Sequence, residues 1–520
     1  MLRRSVLSLI LAAVLLLSPG SALRGANNTN NDDIQASLKS FTKVLEAVET
    51  NFADPVKTEK AIYDGAIPGM LRTLDPHSNF FDPEEQQRFR ENQRGQYFGV
   101  GMYVGVRNGH VTVMYPFHGS PAKNAGLRPA DQLFRVNGKN TEKSTVEEVV
   151  GMLKGPRGTP VHVEVKREGR EALVAFDLVR DQVDRPSVST ATWLKPGIAF
   201  IRIDSFNENT SKEFESEMKK LGEEKVEGLL IDLRENPGGI LQEAVAVTDR
   251  FLERGQGIVS QRGRISPERP FQARRGNVGR KYPIVVMVSR GSASASEIVS
   301  GALQDHDRAW IFGQNTFGKG LVQAPYPLSF DCQLLLTVAR YYTPSGRLIQ
   351  RDYSKGTFFE YYYPKSTELK NKKEVRSTDS GRVVYGGGGI TPDEEYKPVR
   401  ANKFQSTLIN RGAFFGYTGR RFGPGDAKLP DNWDIDLETL EQFRAFLTEK
   451  KIPYEESEFV LNLDWVKRQL KLEMYTTAFG KEKSDEAGAA SDPEVLKAIE
   501  SLSKAKLLLE KSKRMVARRR

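Results

Sequence analysis

The chain has 520 residues, 77 basic against 67 acidic side chains for a net charge of +10, and one cysteine, Cys332. A single cysteine excludes an intramolecular disulfide, so a chain long enough for several domains of about 100–200 residues must be held by its apolar cores. Eight basic residues (Lys504, Lys506, Lys511, Lys513, Arg514, Arg518, Arg519 and Arg520) fall in the last 20 positions against one acid, Glu510, and the rest of the chain is nearly balanced. The basicity is therefore a property of the tail, which suits either a weak contact with an anionic membrane surface or a solvated frayed end, and nothing else points to nucleic acid.

In chain order, Met1-Leu2-Arg3-Arg4, the apolar run Ser5–Leu17 and the small residues Pro19–Ala22 read as a secretory signal peptide over residues 1–22. The run is shorter than the ~20 residues that span a bilayer, and an uncleaved amphipathic anchor is the alternative. No cysteine follows it to carry a lipid. The expectation is an exported protein, periplasmic or extracellular, that is membrane-associated only if the leader stays on.

A polar linker (27–32) precedes an N-terminal helical region, residues 33–95, in which Leu38, Phe41, Val44, Leu45, Val48 and Phe52 recur at three- and four-residue steps. These helices can supply a homodimer interface or pack on the body. Residues 96–182 change to short strands and turns, with Gly99–Val104 and Val111–Met114 flanking the turn Arg107-Asn108-Gly109 and Thr145 capping a helix to Leu153. Residues 183–400 alternate apolar strands (Ala199–Ile203, Gly228–Leu233, Ile284–Val288) with helices, which indicates a layered α/β domain around a buried sheet. Charged helices dominate residues 401–520, joined by a segment (481–492) that its Lys, Glu, Asp, Ala and Gly content marks as a flexible linker. Cys332, before the run Leu334-Leu335-Leu336, reads as a small core residue.

The chemistry concentrates in Ser292-Ala293-Ser294-Ala295-Ser296-Glu297 and Thr316-Phe317-Gly318-Lys319-Gly320. A hydroxyl at a strand-to-helix junction sits beside free backbone N–H groups and the positive end of a helix dipole, both suited to a developing oxyanion. With five histidines in the whole chain, a serine–lysine pair is the leading nucleophile system. On chemistry alone Ser292, Ser294 and Ser296 are nearly equal. His306, between Asp305 and Asp307, permits a rival Ser-His-Asp reading, although it lies two to three turns down the following helix. Asn236-Pro237-Gly238-Gly239 forms a second strand-to-helix turn whose glycines let backbone amides face a substrate oxygen. The histidines lack metal-ligand spacing, so neither a metal nor another cofactor is expected.

Taken together, Leu74-Asp75-Pro76-His77-Ser78, Asp232–Gly239, Ser294–Ile298, Phe317–Gly320, Thr343–Arg347 and Gly388–Asp393 resemble the carboxyl-terminal processing (tail-specific) serine proteases, which carry an inserted PDZ domain. The resemblance spans roughly residues 35–395. It implies an α+β multidomain chain: an α/β, crotonase/ClpP-like layered core, an inserted β-rich PDZ domain, and helical N- and C-terminal regions. It maps the nucleophile to Ser294, the base to Lys319, a lysine-orienting residue to Gln323, and the oxyanion hole to the N–H groups of Gly238 and Ala295. In the PDZ-like segment it implies that the loop Phe98-Gly99-Val100-Gly101 holds a terminal carboxylate. A peptide strand would then lie beside Val100–Val104, with its last side chain toward Val149, Met152 and Leu153. One departure is Ala130, where the family usually has glycine; a turn needing positive φ there would be strained. The expected function is serine endopeptidase action on unfolded or C-terminal tails of exported proteins. A non-catalytic PDZ adaptor and a crotonase-like acyl-CoA enzyme are the alternatives.

Overall fold

The apolar strands and the helices between them assemble around one six-stranded sheet in a computed structural model, which describes residues 31–265, 267–354, 358–363, 371–423, 428–430 and 432–519. The leader read over residues 1–22 lies outside the described residues. The chain divides into two units, one ending at Thr73 and one beginning at Leu74. In the first, the helix Asn31–Asn51 leaves Ile34, Leu38, Phe41, Val44 and Val48 exposed along one stripe. Short helical turns over Thr58–Arg72 follow.

In the second unit the sheet order is Val188–Lys195, Ile198–Ile203, Gly228–Asp232, Ile284–Val288, Trp310–Gly313, Glu394–Glu395. The first pair is antiparallel and the others are parallel. Every residue of Gly228–Asp232 and Ile284–Val288 is buried, as expected of parallel strands covered on both faces. Strand alternation sends Leu229, Ile231, Val286 and Val288 toward the helices Thr210–Leu221, Leu241–Asp249 and Ala295–Asp305. It sends Phe200, Leu230, Val285, Met287 and Phe312 the other way, onto Val495, Ala498, Leu502 and Ala505.

The helices Pro493–Glu500 and Leu502–Arg519 are therefore the second layer of the core. An ionic knot fixes them: Arg234, at the end of a central strand, bonds Asp232 at 2.7 Å, Asp492 at 2.9 Å and Glu494 at 2.9 Å. The expected linker at 481–492 is instead a helix, Lys481–Ser491. Its small residues pack: Ala489 is buried, and the Ser484 hydroxyl donates to the Leu472 carbonyl at 2.8 Å.

A second sheet pairs Gln333–Tyr342 with Asn79–Phe81, Gly257–Gly263 and Leu321–Pro327. It places the segment after Leu74 and the strand that follows Lys319 on either side of Gln333–Tyr342. Cys332 is buried.

The small β-rich insert is an antiparallel sheet in the order Met102–Arg107, His110–Pro116, Gln132–Val136, Pro160–Lys166, Val174–Val179. Thr145 caps the helix Val146–Leu153 in a reciprocal capping box with Glu148. Ala130 has φ 72, the left-handed conformation in which a side chain is strained. Its methyl group meets the helix Ala413–Phe422, where a Cβ added to Gly419 would lie 2.7 Å from it. In the same contact the Arg107 guanidinium stands over the Phe415 ring at 5.6 Å.

Candidate active site

Strand Ile284–Val288 leads into a turn and the first residues of the helix Ala295–Asp305, which together hold the three candidate serines, and their environments differ sharply. The Ser292 hydroxyl donates to the Leu233 carbonyl at 2.7 Å, and that of Ser296 donates to the Asn236 carbonyl at 3.0 Å; both residues are fully buried. Ser294 lines a cleft of about 1240 Å³ together with Lys319, Gly238, Gly239, Gln323 and Tyr341. Its backbone (φ 55, ψ −111) is the kind of strain that persists only where the surroundings enforce it.

The enforcement comes from Glu297, in the first turn of the helix Ala295–Asp305. Oε2 accepts from the N–H groups of Ser294 and Lys319, each at 2.8 Å. Oε1 accepts from Gly318 N–H at 2.7 Å and the Thr316 hydroxyl at 2.6 Å. One buried carboxylate thus ties the serine turn to the lysine loop. Burial pushes the Glu297 pKa up, against the four hydrogen bonds it accepts.

The Lys319 ammonium has no hydrogen-bond or ion-pair partner among the described residues. Burial pushes its pKa down, and the negative charges of Glu297 and Asp75 partly restore it. The Tyr341 hydroxyl donates to the Lys319 carbonyl. Gln323 shares the cleft, but its amide donates to Thr337 Oγ1 at 3.3 Å rather than to the lysine. Thr337 Oγ1 in turn donates to Asp75 at 3.1 Å.

Asp75 and His77 were present in the matched motif without roles. Asp75 accepts from His77 N–H at 2.8 Å and from Ser78 N–H and hydroxyl at 2.9 and 2.7 Å, an Asx-type turn that Asp-Pro foreshadows. His77 Nε2 lies 2.8 Å from the Tyr361 hydroxyl. Burial, reinforced by the Lys319 charge, lowers the His77 pKa to about 3. The unfolded chain then takes up this proton near pH 6.5 and the folded one only near pH 3, so stability falls as pH falls through that window, by at most about 5 kcal/mol. His77→Gln is expected to flatten the pH dependence of the denaturation midpoint between pH 6.5 and 4. An unchanged slope would show that His77 already protonates in the folded state.

The second turn packs against the first. Gly238 has φ 98, and an added Cβ would lie 2.7 Å from Ser294 Cβ and 2.8 Å from Ala295 N. The Gly238 backbone is therefore packed directly against Ser294 and the Ala295 nitrogen. Asn236 Oδ1 holds the Gly238 N–H at 2.8 Å, so an oxyanion would have to share it.

His306 is placed far from this centre. It caps the other end of the 11-residue helix, about 16 Å away at 1.5 Å per residue. Its nitrogens engage Asp379 at 2.8 Å and the Gly257 carbonyl at 2.7 Å, which removes the Ser-His-Asp reading.

In the insert, Met102–Arg107 is an edge strand with one ladder neighbour among the described residues. The loop before it is fixed from behind: Ala122 N–H donates to the Val100 carbonyl at 2.8 Å and the Ser120 hydroxyl to that of Gly101 at 2.7 Å. Phe98 is exposed and Gly99 buried. Val149 and Leu153 belong to the insert's core, and Met152 is half-buried beside them.

The peptidase family S41 model matches residues 197–356, and a PDZ domain model matches residues 112–167. A carboxy-terminal-processing protease of Bartonella bacilliformis is 37% identical over 345 residues, covering 65% of this chain and 79% of its own. The chain belongs to peptidase family S41. Carboxy-terminal processing protease CtpA of Bacillus subtilis is 30% identical over 377 residues, covering 72% of this chain and 79% of its own. A solved photosystem II D1 C-terminal processing protease aligns with 69% of this chain and 92% of its own at 26% identity and TM-score 0.36. The molecule is thus a protease whose layered core carries an inserted PDZ domain. The family matches stop well short of the C-terminal helices that complete that core. Among the described residues, no group of His, Cys, Asp and Glu side chains is arranged to hold a metal, and no helix is long and apolar enough to cross a membrane.

Proposed function

We propose that this protease is a Ser-Lys endopeptidase that cleaves exported proteins near their C-termini. The observation that carries the assignment is selective exposure: Ser292 and Ser296 are sealed in hydrogen bonds, and Ser294 opens into the cleft that Lys319 also lines. Ser294 Oγ attacks the peptide carbonyl carbon while its proton passes to neutral Lys319 Nζ. The carbonyl oxygen becomes an oxyanion held by the N–H groups of Gly238 and Ala295. Collapse breaks the C–N bond, Lys319 returns the proton to the departing amine, and water, deprotonated by Lys319, releases the acyl group. The free edge of Met102–Arg107 and the loop Phe98–Gly101 support capture of a substrate tail as an added strand.

The domain limits 33–95, 96–182, 183–400 and 401–520 are part of this proposal, with the last two helices added to the core. Relatives that are carboxy-terminal processing proteases support the substrate class over the adaptor and acyl-CoA alternatives. The test uses an unfolded protein ending in an apolar tail and the same protein with its terminal carboxylate amidated, with fragments read by mass spectrometry. Faster cleavage of the free-carboxylate form is expected. Equal rates would remove tail recognition, and cleavage undiminished in Ser294→Ala would remove the nucleophile.

A further inference from the structure

The cleft that contains Ser294 has a far wall that the Ser-Lys chemistry does not use. In the strand Met102–Arg107, Met102 and Val104 point into the PDZ core, and alternation turns Tyr103 outward, where it is 54% exposed. Tyr115 pairs with it across the ladder, and Phe117 follows. The ring centroids step 5.4 Å from Tyr103 to Tyr115 and 5.9 Å from Tyr115 to Phe117. All three rings line the same cleft as Ser294 and Lys319.

The row is backed by the C-terminal helix Lys481–Ser491. The Lys481 ammonium stands over the Tyr115 ring at 5.9 Å and is ion-paired with Asp485, and both residues line the cleft. The pair neutralises its own charges and leaves the rings as the apolar surface of the wall.

We infer that Tyr103, Tyr115 and Phe117, braced by Lys481 and Asp485, form a substrate subsite remote from the scissile bond that takes apolar side chains of an extended polypeptide. Two observations converge on this occupant. The wall is continuous with the cleft that contains Ser294. In an extended chain, side chains on one face repeat every ~6.6 Å, close to the ring spacing, so residues two apart can stack on successive rings. Lys481 acts through Tyr115 and is a positioning residue. It belongs to the C-terminal helices, outside both family matches.

The inference rests on Ser294 being the nucleophile, and the experiment keeps the two separable. Full-length protein, Tyr103→Ser, Lys481→Ala, Lys481→Arg and Ser294→Ala are each assayed with β-casein, an unfolded protein, and with p-nitrophenyl acetate, too small to reach the wall. The ratio of the two kcat/KM values is expected to fall about fivefold in Tyr103→Ser and Lys481→Ala, mainly through KM for β-casein, and to recover in Lys481→Arg. A ratio within twofold of the unmodified protein in Tyr103→Ser, or no recovery in Lys481→Arg, overturns the subsite. Ester hydrolysis that survives in Ser294→Ala overturns the nucleophile instead. Tyr103 is largely exposed, so its replacement tests the wall without emptying a core.

Discussion

Lys319→Ala is expected to lower kcat on protein substrates by on the order of 10⁴-fold, the scale set by removing one member of a nucleophile–base unit. A lysine near its ordinary pKa of 10.5 is almost wholly protonated at neutral pH and cannot accept the serine proton. Burial beside Ser294 moves the balance toward the neutral form. The activity of the unmodified enzyme should accordingly rise with pH as Lys319 loses its proton, with a midpoint below 10.5. Asp75 and Glu297 both stabilise the ammonium. Asp75→Asn removes one of those charges, so its pH–activity curve is expected to shift to lower pH, and Lys319→Ala should show no such limb. A curve for Asp75→Asn that coincides with the wild-type one would mean that another group supplies the base.

Glu297→Gln is expected to reduce activity at least about 100-fold and to destabilise the fold by about 3 kcal/mol. All four donors around Glu297 point at it: three backbone N–H groups and the Thr316 hydroxyl. An amide of the same shape turns an NH₂ toward two of them, which leaves buried donors facing a donor. Ser294 and Lys319 are both positioned through this side chain, so the loss appears in kcat as well as in the denaturation midpoint. A variant that keeps more than a tenth of the activity would show that the serine turn and the lysine loop hold their positions without it.

How much of this was legible in the sequence depended on how local each determinant is. The turn after Ile284–Val288 and the Thr145 cap follow from a few consecutive residues, and they were readable. The choice among three serines is nonlocal, because the partners that disarm Ser292 and Ser296 lie 59 and 60 residues away. Family resemblance pointed to Ser294 where residue chemistry could not. Asp75 and His77 stayed without roles because their site partners, Thr337 and Tyr361, are 262 and 284 residues distant. The segment 481–492 was misread because composition does not distinguish a linker from a surface helix; packing against the strand Val188–Lys195 decides that. The apolar stripe Val495, Ala498, Leu502, Ala505 was visible at three- and four-residue spacing, but the sheet face it covers is built from residues 200–312.

That last pairing bears on the order in which the molecule can be finished. A ribosome releases the catalytic residues some two hundred positions before the helices that close the other face of their sheet. Until those helices emerge, Phe200, Leu230, Val285 and Met287 have no cover, and Arg234 lacks two of its three carboxylate partners. The nascent chain therefore carries its cutting residues on an open half-sandwich, and the blade is mounted only when translation reaches the final helix.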